Sequence, residues 1–128
     1  PGIPLAVMRP DLGLTLLDSA GKKIRFIRHV TRELELTNVE PVQSRLESFT
    51  EPRGFDAIIS RAFSSLAGFA VAARHLCGRK TSLLAMKGRC PEDELADLPA
   101  WLNVEAVEKL SVPGLQENRH LVIMSVIA

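Results

Sequence analysis

Short apolar runs alternate with stretches of helical period along nearly the whole chain, and this alternation restricts the fold more than any other feature. Leu12 to Leu17, Val39 to Gln43, Phe55 to Arg61 and Lys80 to Met86 read as strands. Between them lie segments whose apolar residues recur every three or four positions. Gly21 to Leu36 is the clearest: Ile24, Ile27, Val30 and Leu34 form one stripe, with Lys22, Arg25, Arg28, His29 and Arg32 roughly opposite. Ser64 to Leu76 is a second amphipathic helix, with Ser64 or Ser65 as N-cap. Pro4 to Arg9 and Pro91 to Leu98 read as shorter helices, and Arg45 to Phe49 as a helical turn. Val104 to Val112 and His120 to Ile127 are strands joined through Pro113-Gly114 with no helix between them. The pattern predicts an α/β fold: a mostly parallel sheet flanked by helices and closed by an antiparallel hairpin.

Composition narrows the class. In 128 residues, 46% are apolar and 24% charged, the balance of a globular domain. No apolar run reaches the ~18 residues that span a bilayer, and the first residues show no basic-then-apolar secretory pattern. Cys77 and Cys90 have no metal-ligand spacing and read as reduced thiols of a cytoplasmic protein. The net charge of +1 favours no partner by itself. Its distribution does: Lys22, Lys23, Arg25, Arg28 and Arg32 crowd one segment, while Glu92, Asp93, Glu94 and Asp97 crowd another.

In a doubly wound sheet, ligands bind beyond the C-terminal strand ends. Asp18 ends the first strand, where a carboxylate accepts hydrogen bonds from both ribose hydroxyls of a nucleoside; capping the following helix is an equal alternative. Leu46 and Glu47 follow the second strand, where core packing and a solvated charge are their ordinary uses. Arg61 ends the third strand and faces the crevice, with a rim salt bridge as the bland alternative. Lys87, before Gly88, suits RNA phosphate or a water-exposed rim about equally. The basic helix face is either a phosphate-binding surface or a solvated face. His120 has no carboxylate partner in sequence and reads as structural. The chain contains no complete glycine-rich phosphate loop, metal cluster or G-x-S-x-G nucleophile signature, and Trp101 with five scattered Phe makes no base-stacking platform.

Several stretches together resemble a known family. They are Pro1-Gly2-Ile3-Pro4-Leu5-Ala6, Leu16-Leu17-Asp18-Ser19 with Gly21-Lys22-Lys23-Ile24-Arg25-Phe26, and Pro41-Val42-Gln43-Ser44-Arg45-Leu46-Glu47. Phe55 to Phe63, Ala85-Met86-Lys87-Gly88, Pro91-Glu92-Asp93-Glu94, Val112-Pro113-Gly114-Leu115 and Glu117 to Val122 continue the series. In this order they resemble bacterial 16S ribosomal RNA guanine-N7 methyltransferases, the RsmG or glucose-inhibited division protein B family. The resemblance implies a Rossmann-like methyltransferase fold and S-adenosyl-L-methionine as cofactor. Asp18, Leu46, Glu47 and Arg61 match its cofactor-site positions. Lys22, Arg45, Lys87 and Arg119 resemble positions facing rRNA or the transferred methyl group; with Lys23 and Arg25 of the basic helix face they make the expected RNA contacts, and 16S rRNA or the small ribosomal subunit is the implied partner. In that family the Pro-Gly-Ile-Pro stretch follows a glycine-rich loop and a central first strand. Residues 1–128 are therefore expected to be a partial methyltransferase domain without that strand and loop, and inactive alone.

Guanine N7 carries a lone pair in the neutral base, so its methylation needs no general base, and the lack of a catalytic dyad is expected. The competing readings are a methyltransferase acting on a protein or small molecule, and a non-catalytic RNA-binding fragment.

Overall fold

The computed structural model describes every residue except Ala62, Ser64 and Ala128. The chain divides into two compact units, Pro1–Phe49 and Thr50–Ala128.

The first unit runs α1 (Gly2–Met8), β1 (Leu14–Asp18), α2 (Gly21–Glu33), β2 (Val39–Gln43) and a 3-10 turn at Leu46–Ser48. β1 and β2 pair in parallel, from Leu14 opposite Val39 to Asp18 opposite Gln43. A parallel pair needs a crossover, and α2 supplies it, packing on both strands. Ile24 is fully buried and Ile27 and Val30 are half-buried, as the stripe predicts, and Thr31 beside them is half-buried too. Leu34 departs from the stripe and is 52% exposed, because α2 ends before it. Glu35 follows with φ 52°. The amides of Glu35 and Leu36 donate to the carbonyls of Arg32 (3.1 Å) and Thr31 (2.9 Å). This left-handed closure takes up carbonyls that the last turn would leave unpaired. Helix α2 thus stops three residues short of the expected Leu36, ahead of the Thr37-Asn38 pair that reads as its breaker.

The second unit runs β3 (Ala57–Ser60), α3 (Leu66–Ala73) with a 3-10 turn at Arg74–Leu76, β4 (Ser82–Lys87), α4 (Glu92–Leu95), β5 (Leu102–Leu110) and β6 (Arg119–Val126). The strand order is β3-β4-β6-β5, with β3 parallel to β4 and the other neighbours antiparallel. The closing hairpin is therefore present. Its connection uses the expected chemistry: Leu115 N–H donates to Val112 O across Pro113-Gly114, and Gly114 sits at φ 81°, where the second central residue of a type II turn must be. Alternate residues of β4 and β6 are buried, Leu83 and Ala85 beside Met124 and Val122. Leu66, Phe69, Ala70 and Ala73 of α3 complete this core. Ser65 is the N-cap of α3, its Oγ accepting the Gly68 amide at 3.0 Å; Ser64 lies outside the described residues.

Among the described residues, β1 is paired on one side only, by β2, and β3 on one side only, by β4.

Candidate functional site

In the first unit the C-terminal strand ends and the start of α2 converge. Asp18 ends β1 and its main-chain carbonyl accepts the Ser44 amide at 3.0 Å, tying the segment after β2 to the end of β1. The Asp18 carboxylate is half-buried. Oδ1 accepts the Ala20 amide at 2.8 Å, and Oδ2 has the Lys23 ammonium 3.9 Å away. Asp18 does not cap α2, whose N-cap is Ala20 without a side-chain cap; the Asp18 Oδ1 closes the turn that leads into the helix. The other oxygen has no hydrogen bond among the described residues, and the carboxylate is held in a fixed orientation. Gly21 opens α2 in a crowded place. A Cβ there would stand 3.3 Å from both the Arg25 guanidinium and the Gln43 amide, so glycine lets these two groups approach the strand ends. Gln43 was not singled out from sequence; its only signal is its place at a strand end.

Arg45 and Glu47 are exposed and Leu46 is half-buried, which offers an apolar contact beside two polar groups just past β2. Lys22, Arg25, Arg28, His29 and Arg32 are all exposed on α2. Next to Arg28 and Arg32, a shallow recess of about 490 Å³ opens between the last turns of α2 and Pro41 of β2. It lies away from the strand C-termini.

The remaining sequence-chosen residues lie in the second unit. Arg61 follows β3 and is exposed. Lys87 is only 15% exposed and forms an ion pair with Glu94 at 3.0 Å. Arg119 pairs with Glu117 at 2.8 Å on the surface. His120 lies opposite Lys87 across the β4–β6 ladder, its Nδ1 2.9 Å from Gly88 O, a structural contact. Glu94 was missed as an individual: in sequence it is one acid among several, and its partners are 7 and 28 residues away.

Among the described residues nothing resembles a nucleophile–base pair. Both cysteines are free. Burial pushes the Cys77 thiol above its ordinary value, against a smaller opposing pull from Arg74, so Cys77 stays protonated and weakly nucleophilic at neutral pH. Among the described residues no group of His, Cys, Asp and Glu could hold a metal ion, and no helix is long and apolar enough to cross a membrane.

Solved structures define the class. A candidate methyltransferase from Thermoplasma acidophilum superposes with a TM-score of 0.71 at 12% identity, over 98% of this chain and 63% of that one. An rRNA methylase from Streptococcus thermophilus gives 0.59 at 12% identity, over 89% and 73%. The fold is the methyltransferase variant of the doubly wound α/β architecture. Residues 1–122 match the family described as rRNA small subunit methyltransferase G, and the chain belongs to that family. The ribosomal RNA small subunit methyltransferases G of Salmonella arizonae and Escherichia coli are 54% and 52% identical to it over 124 residues. That alignment covers 97% of this chain and 60% of each relative.

Proposed function

We propose that the full-length protein transfers a methyl group from S-adenosyl-L-methionine to guanine N7 of 16S ribosomal RNA in the small subunit, in the cytoplasm. The observation that carries this reading is the Asp18 carboxylate at the end of β1, one oxygen held by Ala20 N–H and the other left for hydroxyl donors. A charged acceptor at that place suits a ribose, and family membership makes S-adenosyl-L-methionine the nucleoside to test. Leu46 and Glu47 are assigned to the adenosine side and Arg61 to the cofactor pocket. The residues of the first unit suit this group: an oriented carboxylate and an apolar side chain at its strand ends.

When bound, S-adenosyl-L-methionine would supply an electrophilic methyl group for the lone pair of guanine N7. The chain's task is alignment. Asp18 fixes the ribose, and so the direction of the sulfonium. The cationic surface of α2 holds RNA phosphate and brings the base into line. Lys22, Lys23, Arg25 and Arg45 are the RNA contacts, with Arg28 and Arg32 extending the surface along the recess at β2. Arg119 is a further contact whose guanidinium is shared with Glu117. Lys87 was chosen for the same role, but its ammonium is committed to Glu94.

The test is Asp18→Asn in the full-length protein. Asparagine keeps an oxygen for Ala20 N–H and removes the charge. S-adenosyl-L-methionine affinity measured by calorimetry should fall by about 1.5–3 kcal/mol for a hydrogen bond to a charged group, with the fold intact. Unchanged affinity would remove Asp18 from the cofactor site.

A further inference from the structure

One partly buried ion pair holds both Phe63 and Leu66, near the start of α3. Glu94, on α4, accepts the Leu66 amide on Oε1 at 2.9 Å, and the same oxygen meets Lys87 Nζ at 3.0 Å. Lys87, at the end of β4, also donates to Phe63 O at 3.3 Å. Leu66 N is the first amide of α3, a donor that the helix itself cannot satisfy, and a carboxylate at a helix N-terminus is favoured by the helix dipole. The Phe63 ring packs on Phe69 of α3 with centroids 5.2 Å apart. Lys87 is 15% exposed and Glu94 29%, so removing either charge leaves the other partly desolvated and unpaired.

Capping α3 does not by itself account for this arrangement, since α3 already has Ser65 as N-cap. What the pair adds is a hold on the Phe63 carbonyl, close in the chain to the end of β3. Arg61 sits there, at a strand end where ligands of such sheets bind. We propose that Lys87 and Glu94 are positioning residues: their ion pair holds Phe63 and Leu66 and so sets where Arg61 presents its guanidinium to the cofactor. This rests on Arg61 serving the cofactor pocket, as proposed above. Neither Lys87 nor Glu94 touches the cofactor in this scheme.

The experiment measures S-adenosyl-L-methionine affinity by calorimetry in the full-length protein for Glu94→Gln, Lys87→Met, Arg61→Ala and the Arg61→Ala/Glu94→Gln double variant. Glu94→Gln and Lys87→Met should each weaken binding about three- to tenfold, Arg61→Ala at least as much, and the double variant no more than Arg61→Ala alone. A purely structural pair gives either wild-type affinity in Glu94→Gln or losses that multiply in the double variant, and either result overturns the proposal. Wild-type affinity in Arg61→Ala overturns it as well. If the unsubstituted protein binds no S-adenosyl-L-methionine, the proposed function fails separately. The ion pair is then judged by hydrogen exchange at the Leu66 amide, which Glu94→Gln should accelerate about tenfold if the pair holds Leu66 and leave unchanged if it does not.

Discussion

Asn38 shows how much one side chain can organise. Its Nδ2 lies 3.2 Å from Ala6 O, 3.3 Å from Arg9 O and 3.0 Å from Leu12 O. An amide nitrogen has two protons for these three carbonyls, so they share them. Two of the carbonyls close the end of α1 and the third belongs to the turn into β1, while Asn38 itself stands just before β2. In sequence it reads only as part of a helix-breaking pair. Its partners are 26 to 32 residues upstream, beyond any local pattern. Asn38→Ala should destabilise the first unit by about 1–3 kcal/mol, since it strips partly buried carbonyls of their donor. Asn38→Asp should be at least as harmful, because it offers only acceptors. Denaturant titration of both variants checks this, and wild-type stability in Asn38→Ala would show that water replaces the donor. Thr81 has a similar position in the second unit. It is 3% exposed, donates to Phe55 O at 2.6 Å and accepts Gly78 N–H at 2.8 Å.

Elements were legible where their limits are set by neighbours in sequence. β2 falls on Val39–Gln43 as read, because polar breakers flank it on both sides. α2 was legible in its stripe but not in its end, which a main-chain closure at Glu35 decides. That closure carries a prediction. A non-glycine residue in the left-handed region costs about 1–2 kcal/mol, partly offset by the greater chain entropy that glycine loses on folding. Glu35→Gly should therefore stabilise the protein by about 0.5–1 kcal/mol and raise its Tm, and a lowered Tm would mean that the Glu35 side chain contributes more than its backbone costs. The exposed face of α2 carries a second prediction, about RNA. Each phosphate contact releases counterions, so affinity falls with salt. Removing the charges of Lys22 and Arg25 in the full-length protein should weaken RNA binding and flatten the logarithmic salt dependence by about 0.7 per lost contact on a single strand. Cofactor affinity should change little. If both variants keep the wild-type slope, this face is merely solvated and the RNA docks elsewhere.

At the scale of the whole molecule, the doubly wound class and its closing hairpin were legible because strand and helix periods alternate cleanly. The candidate site was legible in its strand-end residues, Asp18 above all, and illegible in Glu94 and Gln43, whose neighbours only folding supplies. What the chain does not contain also shapes the chemistry proposed for it. Its histidines are His29, His75 and His120. His120 has Nδ1 at Gly88 O, His29 lies exposed on α2, and His75 belongs to the 3-10 turn after α3. His120 alone of the three lies at a strand C-terminal end, beside Lys87 of β4, and its Nδ1 is engaged by Gly88 O. Guanine N7 needs no general base, since its lone pair is available in the neutral base and no proton leaves before attack. A rate set by alignment and not by proton transfer should be nearly independent of pH. Single-turnover methylation of small-subunit RNA by the full-length protein, with both substrates saturating, should therefore be flat between about pH 6 and about pH 9, with no limb near the ordinary histidine value of about 6.5. Replacing the target guanine by 7-deazaguanine removes the attacking lone pair and should abolish product. A rate that climbs through the histidine range, or methylation of the 7-deaza substrate, would mean that another atom of the RNA is attacked and that the guanine-N7 assignment is wrong.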